Sequence, residues 1–269
     1  MSTEYPEFFY KYRPIDSHDN FQDDYAIDAL IKNKAIFSSR TNFNDLFDSK
    51  IELIKPTPLQ LKEIMVRVSK HEKHFIKKLI HNGGFTYAGI EFIQELEKNF
   101  NELIDSYAFY CVSSNPTSNL MWSHYANSHK GFCIEFKSKF MPAEKVIYQD
   151  EIPKLNIIDI FLSSLKLING EEVGIHIWQS LRTKLIEWDY ESEYRLKANN
   201  SMGRIPADKQ FMIMPYNPEF VESVIFGCRM PPDAKQLIID QMPSGTKFKQ
   251  AVGKISCIEI LKFNYHTDL

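Results

Sequence analysis

No two of the four cysteines (Cys111, Cys133, Cys228 and Cys257) stand close enough in the sequence to form a C-x-x-C pair. A zinc ribbon and a dithiol redox motif are thereby excluded. Glycine is scarce, at 10 in 269 residues, and the chain has no Walker loop, no G-x-G-x-x-G and no G-x-S-x-G. The glycine-built phosphate cradles and the nucleophile elbow are missing with them. No apolar run approaches the roughly 18 residues that a membrane-spanning helix needs. The N-terminus, Met-Ser-Thr-Glu-Tyr-Pro-Glu, has neither the basic region nor the apolar core of a signal peptide, so the chain reads as soluble and cytoplasmic, with no membrane partner. A net charge of −3 leaves no global basic field for nucleic acid, only room for a local one.

Aromatic residues are plentiful instead, with 20 Phe and 13 Tyr. A chain of this length and apolar content can bury a substantial core. Alternation marks strands at Phe8 to Arg13, Ala35 to Ser39, Tyr107 to Ser113, Gly131 to Phe136 and Val146 to Tyr148, the last two read as a pair across Pro142. Helical spacing runs from Asp23 to Asn33, from Thr57 to Ser106 with a break at Asn82-Gly83-Gly84, from Asn119 to Tyr125, and from Leu155 to Glu187 with a break near Asn169-Gly170. The remainder is mostly strand, at Glu193 to Lys197, Phe211 to Met214, Val221 to Phe226, Lys247 to Ala251 and Ser256 to Phe263. One helix, about Asp233 to Gln241, starts at Pro231-Pro232. The fold class expected is α+β. Residues 1–269 form a single domain whose mixed or antiparallel β core comes from both chain ends, with a helical insertion at about 57–106. His71, His74, Lys77 and Lys78 give that insertion a basic, solvated face.

Three dense segments carry the polar chemistry. In Trp188-Asp189-Tyr190-Glu191-Ser192-Glu193-Tyr194-Arg195, an extended chain puts Glu191, Glu193 and Arg195 on one face and the aromatics on the other. Paired carboxylates serve as base and charge stabiliser when burial separates their pKa values; the plainer alternative is a structural ion pair with Arg195 or Arg13. In Tyr10-Lys11-Tyr12-Arg13 the arginine suits bidentate recognition of phosphate or carboxylate. In Trp122-Ser123-His124-Tyr125, Ser123 and His124 are adjacent on a helix and diverge, so they are not a nucleophile–base pair. His124 and His129 are five apart, which rules out a zincin helix. Asp45 and Asp48, in Phe43-Asn44-Asp45-Leu46-Phe47-Asp48, read as turn residues bonding local backbone, and no metal site is expected.

Taken in order, Tyr-Lys-Tyr-Arg, Phe-Asn-Asp-x-Phe-Asp, Cys-Val-Ser-Ser, Met-Trp-Ser-His-Tyr-Ala, His-Lys-Gly-Phe-Cys-Ile-Glu-Phe, Val-x-Tyr, Trp-x-Tyr-Glu-x-Glu-Tyr-Arg and Val-Ile-Phe-Gly-Cys resemble the bacterial family called domain of unknown function 2971. The resemblance runs from about Phe9 to Phe263. Asn-Asp-Leu-Phe-Asp stands where that family usually has Asn-Asp-Pro-Phe-Asp. The family name carries no activity; its members often look like accessory genes of mobile elements and phage defence. A second resemblance, of layout, is to ADP-ribosyltransferases, which place an Arg or His on the first core strand, a hydroxyl-bearing strand after a short helix, and a late Glu-x-Glu. It implies an NAD-dependent transferase in a phage-defence or toxin-type system. Arg13, Ser38 or Ser39, His124 and Tyr125 would hold NAD, Glu193 would be catalytic, and Glu191 would position an acceptor that is protein, nucleic acid or small molecule. Two alternatives stand beside it. One is a non-enzymatic ligand-sensing or partner-binding module acting with neighbouring operon-encoded proteins. The other is a metal-dependent hydrolase or nuclease built on Asp45, Asp48, His124 and Glu193. Trp122, Tyr125, Trp188 and Tyr190 are expected to form one aromatic core behind the site.

Overall fold

The computed structural model describes residues 5–16, 20–199 and 211–269. The chain divides into two compact units, one made of Met1–Asn42, Ala108–Val146 and Glu187–Leu269, the other of Phe43–Tyr107 and Ile147–Ile186. The α+β class and a mixed sheet drawn from both chain ends are as expected.

The first unit is organised on a ten-stranded sheet. Its strands are β1 (Phe8–Arg13), β2 (Lys34–Ser39), β3 (Tyr107–Ser113), β4 (Phe132–Lys137), β5 (Glu144–Lys145), β6 (Glu193–Asn199), β7 (Phe211–Pro215), β8 (Val221–Phe226), β9 (Lys247–Gly253) and β10 (Ile258–Lys262). The spatial order is β7-β2-β3-β1-β4-β8-β9-β10, with β6 paired to β3 and β5. β8 and β9 run parallel, whereas β1–β4, β4–β8 and β9–β10 are antiparallel.

Because side chains alternate across a strand, the sheet has two chemically distinct faces. One carries the large core of Phe9, Phe37, Tyr110, Phe132, Ile134, Phe136, Tyr194, Val224, Phe226 and Phe248, covered by helices α1 (Tyr25–Ile31) and α3 (Pro232–Gln241). The other carries Tyr12, Cys133, Ile225 and Ala251 beneath Met121 and Trp122 of α2 (Asn119–Tyr125). Helix α1 starts at Asp24, whose side chain accepts from the Ala26 and Ile27 amides at 2.8 and 3.0 Å. That is an N-cap satisfying orphan donors.

The second unit has its own core, with Leu61, Ile64, Val68, Ile76, Leu79 and Phe161 buried together. Helices Pro58–Ile64 and Lys70–Leu79 both begin with capping boxes, Thr57 with Gln60 and Ser69 with Glu72. The break expected at Asn82-Gly83 is a two-residue hairpin turn, with φ of 47° and 76° at the two residues and Ile80 facing Phe85. Positive φ at both central positions is what Asn-Gly supplies there.

Two readings of the sequence need correction. The segment at Val146 to Tyr148 does not pair with the strand at Gly131 to Phe136. Both edges of β4 are occupied, by β1 and β8, so Ile147–Gln149 pairs with Thr183–Leu185 and β5 pairs with β6. The second concerns Glu191. Ile186–Glu191 is a 3-10 helix, Ser192 has φ of 46°, and β6 begins only at Glu193. Glu193 and Arg195 therefore share a strand face, and Glu191 stands apart from that alternation.

Candidate functional site

Strand β1 registers with β4 along all six of its residues, but with β3 at a single pair, Tyr10 with Ser113. Past that point the ladder between β1 and β3 is not continued. The Lys11 ammonium takes its place, donating to the Cys111 carbonyl at 2.8 Å and lying 4.7 Å from the Tyr110 ring centroid. Burial lowers Lys11 to about 8, since a charged amine is disfavoured away from water. Two residues on, the Arg13 guanidinium carbon lies 5.1 Å from the Tyr25 ring centroid. Among the described residues the Nη2 of Arg13 is buried and has no hydrogen-bond partner, and the same holds for the Tyr216 hydroxyl. Burial raises the phenols of Tyr110 and Tyr216, and the Arg13 charge opposes that rise in both. Lys11, Arg13, Tyr25, Tyr110 and Tyr216 thus gather where the β1–β3 ladder stops. Leaving a buried donor unpaired costs about 1–3 kcal/mol, and more when it is charged, so these orphan atoms call for an explanation.

The late carboxylates are built differently. Arg195, fully buried at 0% exposure, donates to both oxygens of Glu193, at 2.6 Å from Nε and 3.1 Å from Nη2. Glu193 itself is 5% exposed. Glu191, also buried, accepts from the Tyr125 hydroxyl, while Ser113 donates to the Glu191 carbonyl at 2.6 Å. Cys111 lies against the Glu193–Arg195 pair, its thiol pushed up by burial and by the Glu193 charge.

Of the residues singled out in the sequence, Arg13 follows Phe9 and Lys11 on the face of the large core. Ser39 is buried on that side too, in phase with Ala35 and Phe37, its Oγ 3.1 Å from Thr41 Oγ1. Ser38 alternates to the other side, donating to the Ser39 carbonyl at 3.2 Å. Tyr194 packs on Phe9 with ring centroids 4.8 Å apart, so Glu193 and Arg195, on either side of it, point to the opposite face from Arg13. On that opposite face Tyr125 and Tyr190 lean on the Trp122 cluster. His124 is exposed, with its ring 6.3 Å from Tyr190. Trp188 is only half-buried and reaches Tyr190 at 6.0 Å, so it lies outside the aromatic core that Trp122 anchors. Arg13 pairs with no carboxylate among the described residues.

Asp48 pairs with Lys184 at 3.5 Å, both buried, and the Oδ1 of Asp45 accepts from the Phe47 amide at 2.9 Å. The second aspartate contact is the local turn bonding expected of such a segment. Among the described residues no three His, Cys, Asp or Glu side chains group so as to hold a metal ion.

Several site residues escape a reading of the sequence. Lys11 stands beside Arg13, but only the failed β1–β3 ladder shows what it does. Glu135 is a buried carboxylate that accepts from Tyr10 at 3.2 Å, from Ser223 and from Lys249 at 2.6 Å. Its signal is a lone acid inside the apolar run Phe-Cys-Ile-Glu-Phe, in phase with Cys133. Tyr216 gives no signal at all.

Residues 121–196 match the family model described as Protein of unknown function (DUF2971). The matched stretch runs from Met121 through Glu135 to Leu196, so it takes in most of α2, all of β4 and the Glu193–Arg195 pair. No curated protein and no solved structure matches the chain.

Proposed function

We propose that this chain, which its match over residues 121–196 assigns to the DUF2971 family, binds a small anionic ligand of the NAD class at Lys11 and Arg13. The observation that carries this reading is the pair of buried atoms without partners among the described residues, Arg13 Nη2 and the Tyr216 hydroxyl, beside the half-buried Lys11. A phosphate or carboxylate oxygen satisfies both donors, and arginine's planar fork suits such oxyanions. The half-exposed ring of Tyr25 offers stacking area for a planar group. The carboxylates favour the non-enzymatic form of the reading, a ligand-sensing module, because Glu193 is engaged by Arg195 on the other face of the sheet. ADP-ribosyl transfer is the second reading, favoured by Arg13 and Ser39 lying on the same side of the sheet.

Calorimetry with NAD, ADP-ribose and pyrophosphate tests the site. Saturable binding is expected, weakened roughly 10- to 150-fold in Arg13→Ala, the equivalent of about 1.5–3 kcal/mol for a lost charge-assisted contact. Absence of binding by all three ligands at millimolar concentration sinks the reading. If NAD binds, the release of free nicotinamide selects the transferase form, and binding without release selects the sensing module.

A pH dependence follows from Lys11. The anion prefers the protonated amine, so its contribution is complete well below the folded-state value of about 8 and fades as pH rises through it. Affinity for pyrophosphate should therefore fall as pH is raised from about 7 to about 9, with proton uptake on binding near the midpoint. An affinity flat across that range in wild type would remove Lys11 from the site.

A further inference from the structure

We propose that Ser123 and His129 form a nucleophile–base dyad that accepts an acyl group from an activated carboxylic ester. This chemistry lies outside the anion-binding reading and stands on different residues.

Ser123 has a histidine beside it in the sequence, but neighbours on a helix diverge. Another histidine is brought back to it. Helix α2 ends at Tyr125, and the chain then reverses through three successive residues of left-handed backbone, Asn127 (φ 46°), Ser128 (φ 54°) and His129 (φ 70°). Asparagine tolerates that region, whereas serine and histidine occupy it at a cost, and such strain persists only where the surroundings over-determine it. Here they do. The Ser128 amide donates to the Ser123 carbonyl at 3.1 Å, the His129 amide to the Trp122 carbonyl at 3.1 Å and the Gly131 amide to the Ala126 carbonyl at 2.8 Å. From outside the loop, Asn127 Nδ2 donates to the Ile15 carbonyl at 2.7 Å and the Arg229 amide to the His129 carbonyl at 3.0 Å. Gly227 permits the last approach, since a Cβ there would lie 2.2 Å from the His129 carbonyl oxygen.

The outcome of this clamped, strained turn is that His129 Nε2 lies 3.2 Å from Ser123 Oγ. That is hydrogen-bond reach for a serine and its base. Nδ1 is buried and has no hydrogen-bond partner among the described residues. With the ring proton on Nδ1, Nε2 is left to accept from the serine hydroxyl. Burial, and then the Arg229 charge, lower the imidazole below its ordinary value, which keeps it neutral at physiological pH and so free to accept a proton. Both residues remain partly exposed, so a substrate can reach them.

The reaction balances without a further reagent. Ser123 Oγ attacks the ester carbonyl carbon while its proton passes to His129 Nε2. The bond from that carbon to the leaving oxygen breaks, and the departing alcohol takes the proton from His129. Water, deprotonated by His129, then cleaves the acyl-serine to the free acid and restores both side chains.

The probe is a fluorophosphonate, in which attack by Ser123 forms an O–P bond and expels fluoride. Intact protein is incubated with it beside a serine esterase as control, and labelled peptides are located by mass spectrometry. Labelling at Ser123 is expected, with none in Ser123→Ala and a rate lower by about 10²–10⁴-fold in His129→Gln. A Ser123→Cys variant gives an independent readout should His129→Gln fail to fold. Alkylation of its introduced thiol by iodoacetamide at a pH of about 6.5 should exceed the rate of an ordinary thiol by at least about tenfold, because a paired histidine raises the thiolate fraction. The proposal is overturned if folded wild type takes no label at Ser123 while the control esterase is labelled, or if the thiol of the Ser123→Cys variant alkylates at the ordinary rate.

Discussion

Glu193→Gln is expected to lower the stability of the fold by about 3–5 kcal/mol, the usual cost of breaking a buried ion pair from one side. The residue stands at 5% exposure and its two oxygens take two of the donors of Arg195, which has no exposure at all. An amide keeps the shape, but it offers one acceptor oxygen and no charge where the guanidinium needs two oxygens and a negative charge. The pair as such is not a strong stabiliser, since desolvating two ions offsets most of their attraction. The loss comes from leaving a fully buried cation with less compensation. A double variant, Glu193→Gln with Arg195→Met, should therefore recover much of the single variant's loss, because it removes the charge that was left in excess. Urea denaturation of the wild type, both single variants and the double variant measures this directly. If Glu193→Gln melts like wild type while nicotinamide release from NAD disappears, Glu193 is a catalytic carboxylate and the sensing-module reading fails.

The same pair shows where reading a sequence runs out. The strands Phe8 to Arg13, Tyr107 to Ser113 and Val221 to Phe226 are legible because short runs of aromatic and β-branched residues bounded by turn signals mark strands even where both faces are buried. The helix of residues 232–241 is legible from the proline at its start and its apolar spacing. Glu191 misleads because the segment from Trp188 to Arg195 alternates as a strand does, while a single residue, Ser192 at φ of 46°, ends that geometry. Nothing in the local composition marks serine for that conformation. The pairing of Val146 to Tyr148 is hidden for a related reason, since proximity in sequence says nothing about which edges are already taken.

The site divides along the same line. Arg13 is recognisable as a group for oxyanions by residue type alone. Its lack of a carboxylate partner among the described residues, and the single pair that β1 shares with β3 beside Lys11, depend on the register of β1 against two neighbours. The Ser123–His129 contact depends on three consecutive left-handed residues, which no periodicity encodes. Side chains that alternate are written into a sequence; side chains that converge from distant segments are not.

Trp122→Ala should cost about 3–5 kcal/mol, the range for truncating a fully buried aromatic, and Trp188→Ala clearly less. Trp122 has no exposed surface, packs edge-on against Tyr12 with ring centroids 5.1 Å apart, and donates from Nε1 to the Pro116 carbonyl at 2.8 Å. Its removal opens a cavity between α2 and the sheet, and it leaves a carbonyl short of a donor. It also loosens the loop that follows, because the His129 amide is bonded to the Trp122 carbonyl on the same turn. Trp188 is half-buried, with its ring 6.0 Å from that of Tyr190, so less is left empty when it is truncated. Urea melts of the two variants under one set of conditions separate them. Equal losses would mean that the aromatic residues act as one core spanning both tryptophans, and that the division between a sealed Trp122 and a peripheral Trp188 is wrong. A large loss for Trp122→Ala, with the anion affinity of the remaining folded protein unchanged, would place the ligand site on the opposite face of the sheet, where Arg13 and Lys11 stand.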